Sequence, residues 1–324
     1  MEALAEEIDA VRDPDFSGVV SVRRGDTVEF ERAYGLADRE TSRKARTDTR
    51  FGLASVTKGF TAVTVASLVA EGSLTLDTPA RSLLGADLPL IADDVTVRHL
   101  LGHTSGIGDY VDEEIDPGEH GYVLKVPFDA LVTTEDYLPA LDGFPTKFRA
   151  GQRFAYCNSG YVVLALIAER VAARAFVDLV ADRVFAPAGM TRSAFLQMDA
   201  LPPDAAVGYL PDGRPNRDHL PRRGSGDGGA FSTVADLHAF WTALFAGRLL
   251  PATVLAALTD NRANPGYGLG FWLEGPRVAL QGGDMGVSTW TVHDPASGVT
   301  YSVLSNTETG VGKVKRRLDE LLTG

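Results

Sequence analysis

Strand-like stretches mark both ends of the chain, and helix-like stretches fill its middle. Ser17-Gly18-Val19-Val20-Ser21-Val22 and Thr27-Val28-Glu29-Phe30 flank Gly25-Asp26, the pattern of a β-hairpin. Leu269 to Leu273, Val278 to Leu280, Ser288 to Val292 and Thr300 to Leu304 read as strands near the other end. Asp294-Pro295-Ala296-Ser297-Gly298 supplies the turn before the last of them, and an amphipathic helix from about Gly312 to Leu322 closes the chain. Between the ends, Thr61 to Ala70 carries no charge, which predicts a helix buried on all sides, with Glu71-Gly72 as its stop. Tyr161 to Phe176 is a second helical stretch, and Thr233-Val234-Ala235-Asp236 is a capping-box-like start for a third. The expected fold is therefore α/β (α+β): one antiparallel sheet assembled from both termini, flanked by helices, with a mostly helical domain inserted. The 324 residues form one unit, with a sheet subdomain over about 1–80 and 260–324 and a helical one over about 81–259.

Composition narrows the function without naming it. A hydrophobic content of 44% with 23% charged residues is that of an ordinary globular chain able to bury a core. The net charge of −12 opposes nucleic acid and anionic membrane as partners. A single cysteine, Cys157, excludes an intramolecular disulfide, and the six histidines show no metal-ligand spacing, so no metal and no cofactor are expected. No apolar run is long enough to span a membrane, and the acidic opening lacks the pattern of a secretory signal, which predicts a cytoplasmic protein.

The candidate chemistry begins at Ser55-Val56-Thr57-Lys58. Residues three apart share a helix face, so the Ser55 hydroxyl and the Lys58 amine can meet. A serine needs an adjacent base to act as a nucleophile, and burial together with the helix N-terminus favours the neutral amine that could serve. By itself the spacing fits equally a helix start in which Ser55 caps and Lys58 is solvated. Tyr156-Cys157-Asn158, just before the second helix, can turn a phenol and an amide toward one cleft. Beside a lysine ammonium the phenolate would be favoured and could shuttle a proton.

Taken together these segments resemble the serine β-lactamase and penicillin-binding-protein superfamily, in its class C-like branch of family VIII carboxylesterases, D-aminopeptidases and amidases. The resemblance runs through Leu53 to Phe60, Glu71 to Pro79, Val95 to Ile107 with its His103-Thr104-Ser105-Gly106, Tyr156 to Asn158, and Gly228 to Leu237. It implies that Ser55 attacks an acyl carbon, that Lys58 takes the serine proton, and that Tyr156 partners it and protonates the leaving group. The Ser55 backbone N–H would form half of an oxyanion hole. His103 is expected to be structural, and Cys157 to pack at the cleft wall.

The third motif of the family, Lys-Thr-Gly or His-x-Gly, aligns with Gln281-Gly282-Gly283-Asp284, so Gln281, Gly283 and Asp284 join Asn158 as expected substrate-binding residues. Gln281 stands where a cation is usual, which argues against an efficient β-lactamase or carboxypeptidase. Asp284, whose N–H is expected to complete the oxyanion hole, could instead attract a free ammonium group. The sequence thus predicts a serine hydrolase of small esters, amides or short peptides, esterase-like first. D-aminopeptidase or D-amino-acid amidase, or weak β-lactamase, is the alternative, and an acyl-transferase or non-catalytic sensor the reading from another class. The acid-rich loop Val111 to Pro117 and the glycine-rich loop around Ser225 are expected to shape the pocket.

Overall fold

A computed structural model describes residues 2–115, 124–260 and 264–322. Six antiparallel strands form the main sheet: β1 Gly18–Arg24, β2 Thr27–Tyr34, β3 Trp272–Glu274, β4 Arg277–Asp284, β5 Val287–Asp294 and β6 Val299–Ser305, in the spatial order β2-β1-β6-β5-β4-β3. The N-terminal hairpin joins the C-terminal strands by pairing β1 with β6, from Gly18↔Ser305 to Arg24↔Val299. The sheet is thus assembled from both ends of the chain. β4 runs four residues past the expected Leu280, and β3 starts at Trp272, three residues later than the predicted Leu269.

Helices cover both faces. α1 (Glu2–Val11) and α5 (Val311–Leu322) bury Ile8, Val314 and Leu318 against Val20, Val22, Ala279, Val292, Tyr301 and Val303. The opposite face packs on the larger core through Val19, Val278, Leu280 and Leu304, against α2 (Thr57–Ala70), α3 (Asn158–Ala172) and α4 (Val234–Phe245). Period-2 alternation sends Leu280 to one core and Ala279 to the other, which fixes which face of β4 each later residue occupies.

α2 is buried at every position from Thr57 to Leu68, as its lack of charge predicts, and Gly72 takes the left-handed conformation after its end. The capping box at α4 is half made. Thr233 accepts from the Asp236 N–H at 3.1 Å, but the Asp236 carboxylate turns to the Arg192 N–H and the Ser193 hydroxyl instead. Among the described residues no helix is long and apolar enough to cross a membrane.

Candidate active site

Ser55 lies not in α2 itself but in the 3-10 turn Ala54–Val56 that leads into it. Ala54 is held at φ +46, a left-handed conformation that costs energy for a residue with a Cβ and that aims the next side chain out of the turn. The i, i+3 relation survives: Lys58 Nζ donates to Ser55 Oγ at 2.8 Å. The same nitrogen donates to Asn158 Oδ1 at 2.8 Å and to the Asp227 carbonyl at 2.7 Å. One amine, 2% exposed, therefore ties together three segments far apart in sequence. Burial pushes the Lys58 amine down, while Asp227, Glu113, Asp109 and Asp284 pull it back up, and the balance is a lowering.

Asn158 is the first residue of α3, and its place is set by a residue that no local motif signals. Buried Asp109 accepts the backbone N–H groups of Asn158 at 2.7 Å and Ser159 at 2.8 Å, using the donors that a helix start leaves open. Burial nevertheless pushes the Asp109 carboxyl up to about 6 against these bonds. The Asn158 amide nitrogen donates to the Val111 carbonyl at 2.9 Å and to Glu113 Oε1 at 3.2 Å. Both of these acceptors belong to the protein. Val111 and Glu113 thus serve the site from the acid-rich loop, whose Asp116 and Pro117 lie outside the described residues.

Tyr156 hydrogen-bonds Ser55, and Lys58 Nζ lies 4.9 Å from the centroid of its ring. The expected phenolate is not favoured. Burial pushes this phenol well above its ordinary value, the Ser55 contact offsets part of that, and Glu113, Asp227 and Asp109 add to the rise. The phenol stays protonated at neutral pH. Its ring is stacked on Trp272 and lies 4.2 Å from the His103 ring. His103 is buried, accepts the Cys157 N–H through Nδ1 at 3.0 Å, and is kept neutral by burial and by the Lys58 charge. It shapes the wall behind Tyr156. Cys157 is buried with its thiol pushed well up, the state of an inert packing residue.

The glycine-rich loop seals the far side. Gly226 and Asp227 carbonyls accept from Thr61 Oγ1 and Lys58, and a Cβ on Gly226 would sit 2.1 Å from the Tyr161 carbonyl oxygen. Tyr110 donates to the Asp227 carboxylate at 2.5 Å.

β4 supplies the last wall, and here the structure corrects the sequence reading. Asp284 pairs with Val287 across the two-residue turn Met285-Gly286, so these two residues exchange both backbone bonds. The Asp284 N–H is therefore not available for an oxyanion. Alternation along the ladder turns the Gly283 N–H away from β5, to an edge that β3 leaves open because it pairs only with Arg277 to Ala279. A Cβ on Gly282 would lie 2.1 Å from the Leu53 carbonyl oxygen and 3.0 Å from the Ser55 nitrogen, so β4 passes directly beside the nucleophile's backbone. The same alternation puts Gln281 on the face opposite Leu280 and Gly282, exposed and away from Ser55. Gln281 is not among the residues that line the cleft. The Asp284 side chain shares the face of Gly282 and opens into the cleft. Desolvation there, reinforced by Asp227 and Glu113, pushes its carboxyl up to about 6 against the Met285 N–H and Lys58.

Ser55, Asn158, Glu113, Asp227, Gly283 and Asp284 line one cleft of about 110 Å³. A base held against a hydroxyl, a protonated phenol on its other side and two backbone N–H groups nearby are the components of acyl transfer.

Comparison with known proteins agrees with that chemistry. The profile of the Beta-lactamase family matches residues 4–323. The chain is similar to the crystal structure of a penicillin-binding protein from Bacillus halodurans, with a TM-score of 0.88 and 33% identity over 99% of each chain. It is 30% identical to the esterase EstB of Burkholderia gladioli over 94% of this chain and 91% of that protein. It is 32% identical to a D-aminopeptidase of Brucella anthropi over 69% of this chain but only 41% of that longer protein. With the fold, the Ser-x-x-Lys geometry and these similarities in hand, the chain belongs to the Beta-lactamase family and is a serine hydrolase of the β-lactamase and penicillin-binding-protein superfamily.

Proposed function

We propose that this protein hydrolyses small esters, and more slowly amides, through an acyl-enzyme on Ser55. The observation that carries the reading is the buried Lys58 amine, bonded at once to Ser55 Oγ, Asn158 Oδ1 and the Asp227 carbonyl. As a neutral amine it accepts the Ser55 proton while Asn158 and Asp227 keep its two remaining hydrogens pointed away from the hydroxyl. Ser55 Oγ bonds to the acyl carbon, and the carbonyl π electrons move onto oxygen. The resulting oxyanion lies between the Ser55 and Gly283 N–H groups. Collapse restores the carbonyl and breaks the bond to the leaving group, which takes the Tyr156 proton; Lys58 then returns its proton to the phenol. Water repeats the sequence on the ester and releases the acid.

Charge favours substrates without a carboxylate. The ionisable cleft lining is Tyr110, Glu113, Asp227, Asp284 and the imidazole of His219, and Lys58, acting as the neutral base, offers a substrate carboxylate no positive charge. A substrate carboxylate would face repulsion, whereas a short neutral ester would not. The test is intact-mass spectrometry of wild type and Ser55→Ala after brief exposure to a fluorophosphonate and to p-nitrophenyl butyrate, with nitrophenol release followed in parallel. Wild type gains the phosphonyl mass and releases nitrophenol, and the variant does neither. Turnover that survives in Ser55→Ala would refute the assignment.

A further inference from the structure

The segment Asp109 to Glu114 runs along the catalytic cleft, and four of its residues bind the groups that surround Lys58. Asp109 accepts the Asn158 and Ser159 N–H groups. Tyr110 donates its own N–H to Ser159 Oγ at 3.0 Å and its hydroxyl to the Asp227 carboxylate. The Val111 carbonyl at 2.9 Å and Glu113 Oε1 at 3.2 Å accept from Asn158 Nδ2. Asp112 is paired with Lys147 at 2.7 Å, and Glu114 with Arg153 at 2.7 Å. These two ion pairs hold the segment on both sides of Glu113, which lines the cleft together with Ser55 and Asn158.

Of the three acceptors around Lys58 Nζ, the Asn158 amide alone can exchange its oxygen for a nitrogen in the same space. As found, Oδ1 faces Lys58 Nζ at 2.8 Å and Nδ2 faces Val111 and Glu113. Turned over, Oδ1 would meet a carbonyl and a carboxylate, three acceptors with no hydrogen between them, and Nδ2 would meet Lys58. A neutral lysine answers an N–H donor only with its lone pair, and that is the pair that must take the Ser55 proton. The wrong orientation therefore removes the base without displacing any residue. Val111 opposes it with a neutral acceptor. Glu113 opposes it with a charged one, which forms the stronger bond.

We propose that Glu113 is a positioning residue for acyl transfer: its carboxylate, beside the Val111 carbonyl, holds the Asn158 amide oxygen toward Lys58 and so keeps the Lys58 lone pair on Ser55. The assignment rests on the Ser55 acyl-enzyme proposed above and adds the group that orients its base. Glu113 also acts on Lys58 by charge. Lys58 is faced by the carboxylates of Asp227, Glu113, Asp109 and Asp284 and by the neutral His103 imidazole. The rings of Tyr156 and Tyr161 lie 4.9 and 5.7 Å from its nitrogen. All four carboxylates draw the proton affinity of the amine up, and loss of the Glu113 charge lets it fall. Removing the carboxylate therefore loosens the amide, which slows attack, and brings the neutral amine within reach at lower pH.

Wild type, Glu113→Gln, Asn158→Asp and the double variant form a cycle. It is read as kcat/KM on p-nitrophenyl butyrate across the acid limb and plateau of the pH profile, and as melting temperatures. Glutamine keeps the size of Glu113 but can pair with either end of the Asn158 amide, so the contact remains and the preference is lost. Glu113→Gln is expected to lower the plateau about tenfold. Its acid limb moves about half a pH unit toward lower pH, the effect of one exposed charge. Asn158→Asp sets a carboxylate against Glu113. The melting-temperature loss it causes falls to about half in the Glu113→Gln background, where the glutamine amide supplies a donor.

A Glu113→Gln plateau equal to that of wild type overturns the assignment. A lower plateau with the acid limb unmoved also overturns it, because a merely structural lesion lowers the whole profile in place. Equal melting-temperature losses from Asn158→Asp in the two backgrounds overturn it as well, and that reading needs no turnover. If wild type takes no fluorophosphonate on Ser55 and hydrolyses no ester, the hydrolase reading falls. The coupling between Asn158 and Glu113 in the melting temperatures then still decides whether the carboxylate orients the amide.

Discussion

Gly282→Ala isolates the contact between β4 and the nucleophile. A methyl at this position would lie 2.1 Å from the Leu53 carbonyl oxygen, 2.6 Å from Thr289 Oγ1 and 3.0 Å from the Ser55 nitrogen. Ordinary carbon–oxygen contacts are at ~3.3 Å, so the strand and the nucleophile turn must separate by about 1 Å. The neighbours cannot yield independently. Leu53 C=O accepts from Thr289 Oγ1 at 2.9 Å, and the Leu53 N–H donates to the Ala230 carbonyl at 2.8 Å, so the turn is held from two sides. The Ser55 and Gly283 N–H groups would then no longer converge on one oxygen. A displacement of this size costs on the order of 10²-fold in rate, and loss of one oxyanion donor 10²–10³-fold, about 3–4 kcal/mol of barrier. The adjacent Gly283→Ala provides the comparison, because a Cβ there meets nothing within 4 Å. Initial rates on p-nitrophenyl butyrate, with circular dichroism and melting curves for each variant, read the difference. We expect Gly282→Ala to lose at least 100-fold in kcat and at least tenfold more than Gly283→Ala. A folded Gly282→Ala enzyme within threefold of wild type would refute the proposed convergence of β4 on Ser55.

Two further predictions concern carboxylates of the site. Asp109→Ala removes the acceptor of two N–H groups at the start of α3, leaving buried donors at a cost of about 1–3 kcal/mol each. Urea denaturation should show that loss, and kcat should fall with it because Asn158 is released; a variant of unchanged stability would contradict the capping role. The Asp284 carboxyl, raised to about 6 in the folded protein, binds its proton more tightly than the unfolded chain does, so its contribution to stability falls as pH rises from about 4 to about 6. Asp284→Asn should therefore raise the melting temperature at pH 8 more than at pH 4, and an equal shift at both would show that the carboxyl is not held up in the fold.

The hairpin at the N-terminus, α2 with its Gly72 stop, the last three strands and the closing helix were legible because each rests on local periodicity and turn chemistry. Ser55 and Lys58 were legible for the same reason, since three residues of helical spacing set their distance. What local pattern could not give is the company these residues keep. Asp109 is 49 and 50 residues from the two N–H groups it accepts, and no motif surrounds it. No local motif marks Asn216 or Asn306, and only their burial with one amide oxygen unpaired distinguishes them.

The third motif shows most plainly where sequence reasoning stops. The family resemblance picked out the segment Gln281 to Asp284, which the structure places beside the nucleophile. It could not fix the register. In a strand, a shift of one residue exchanges the two faces and the two edges, so the register decides that Gly283 rather than Asp284 presents its N–H, and that Gln281 faces away. The sequence by itself determined the chemistry: a serine, its lysine, a tyrosine and the fold that unites them. The tertiary structure decided the protonation of the site and the face that each strand residue presents to it. The field at Tyr156 and Lys58 arises from burial and from charges brought together across the fold, which no short-range pattern encodes.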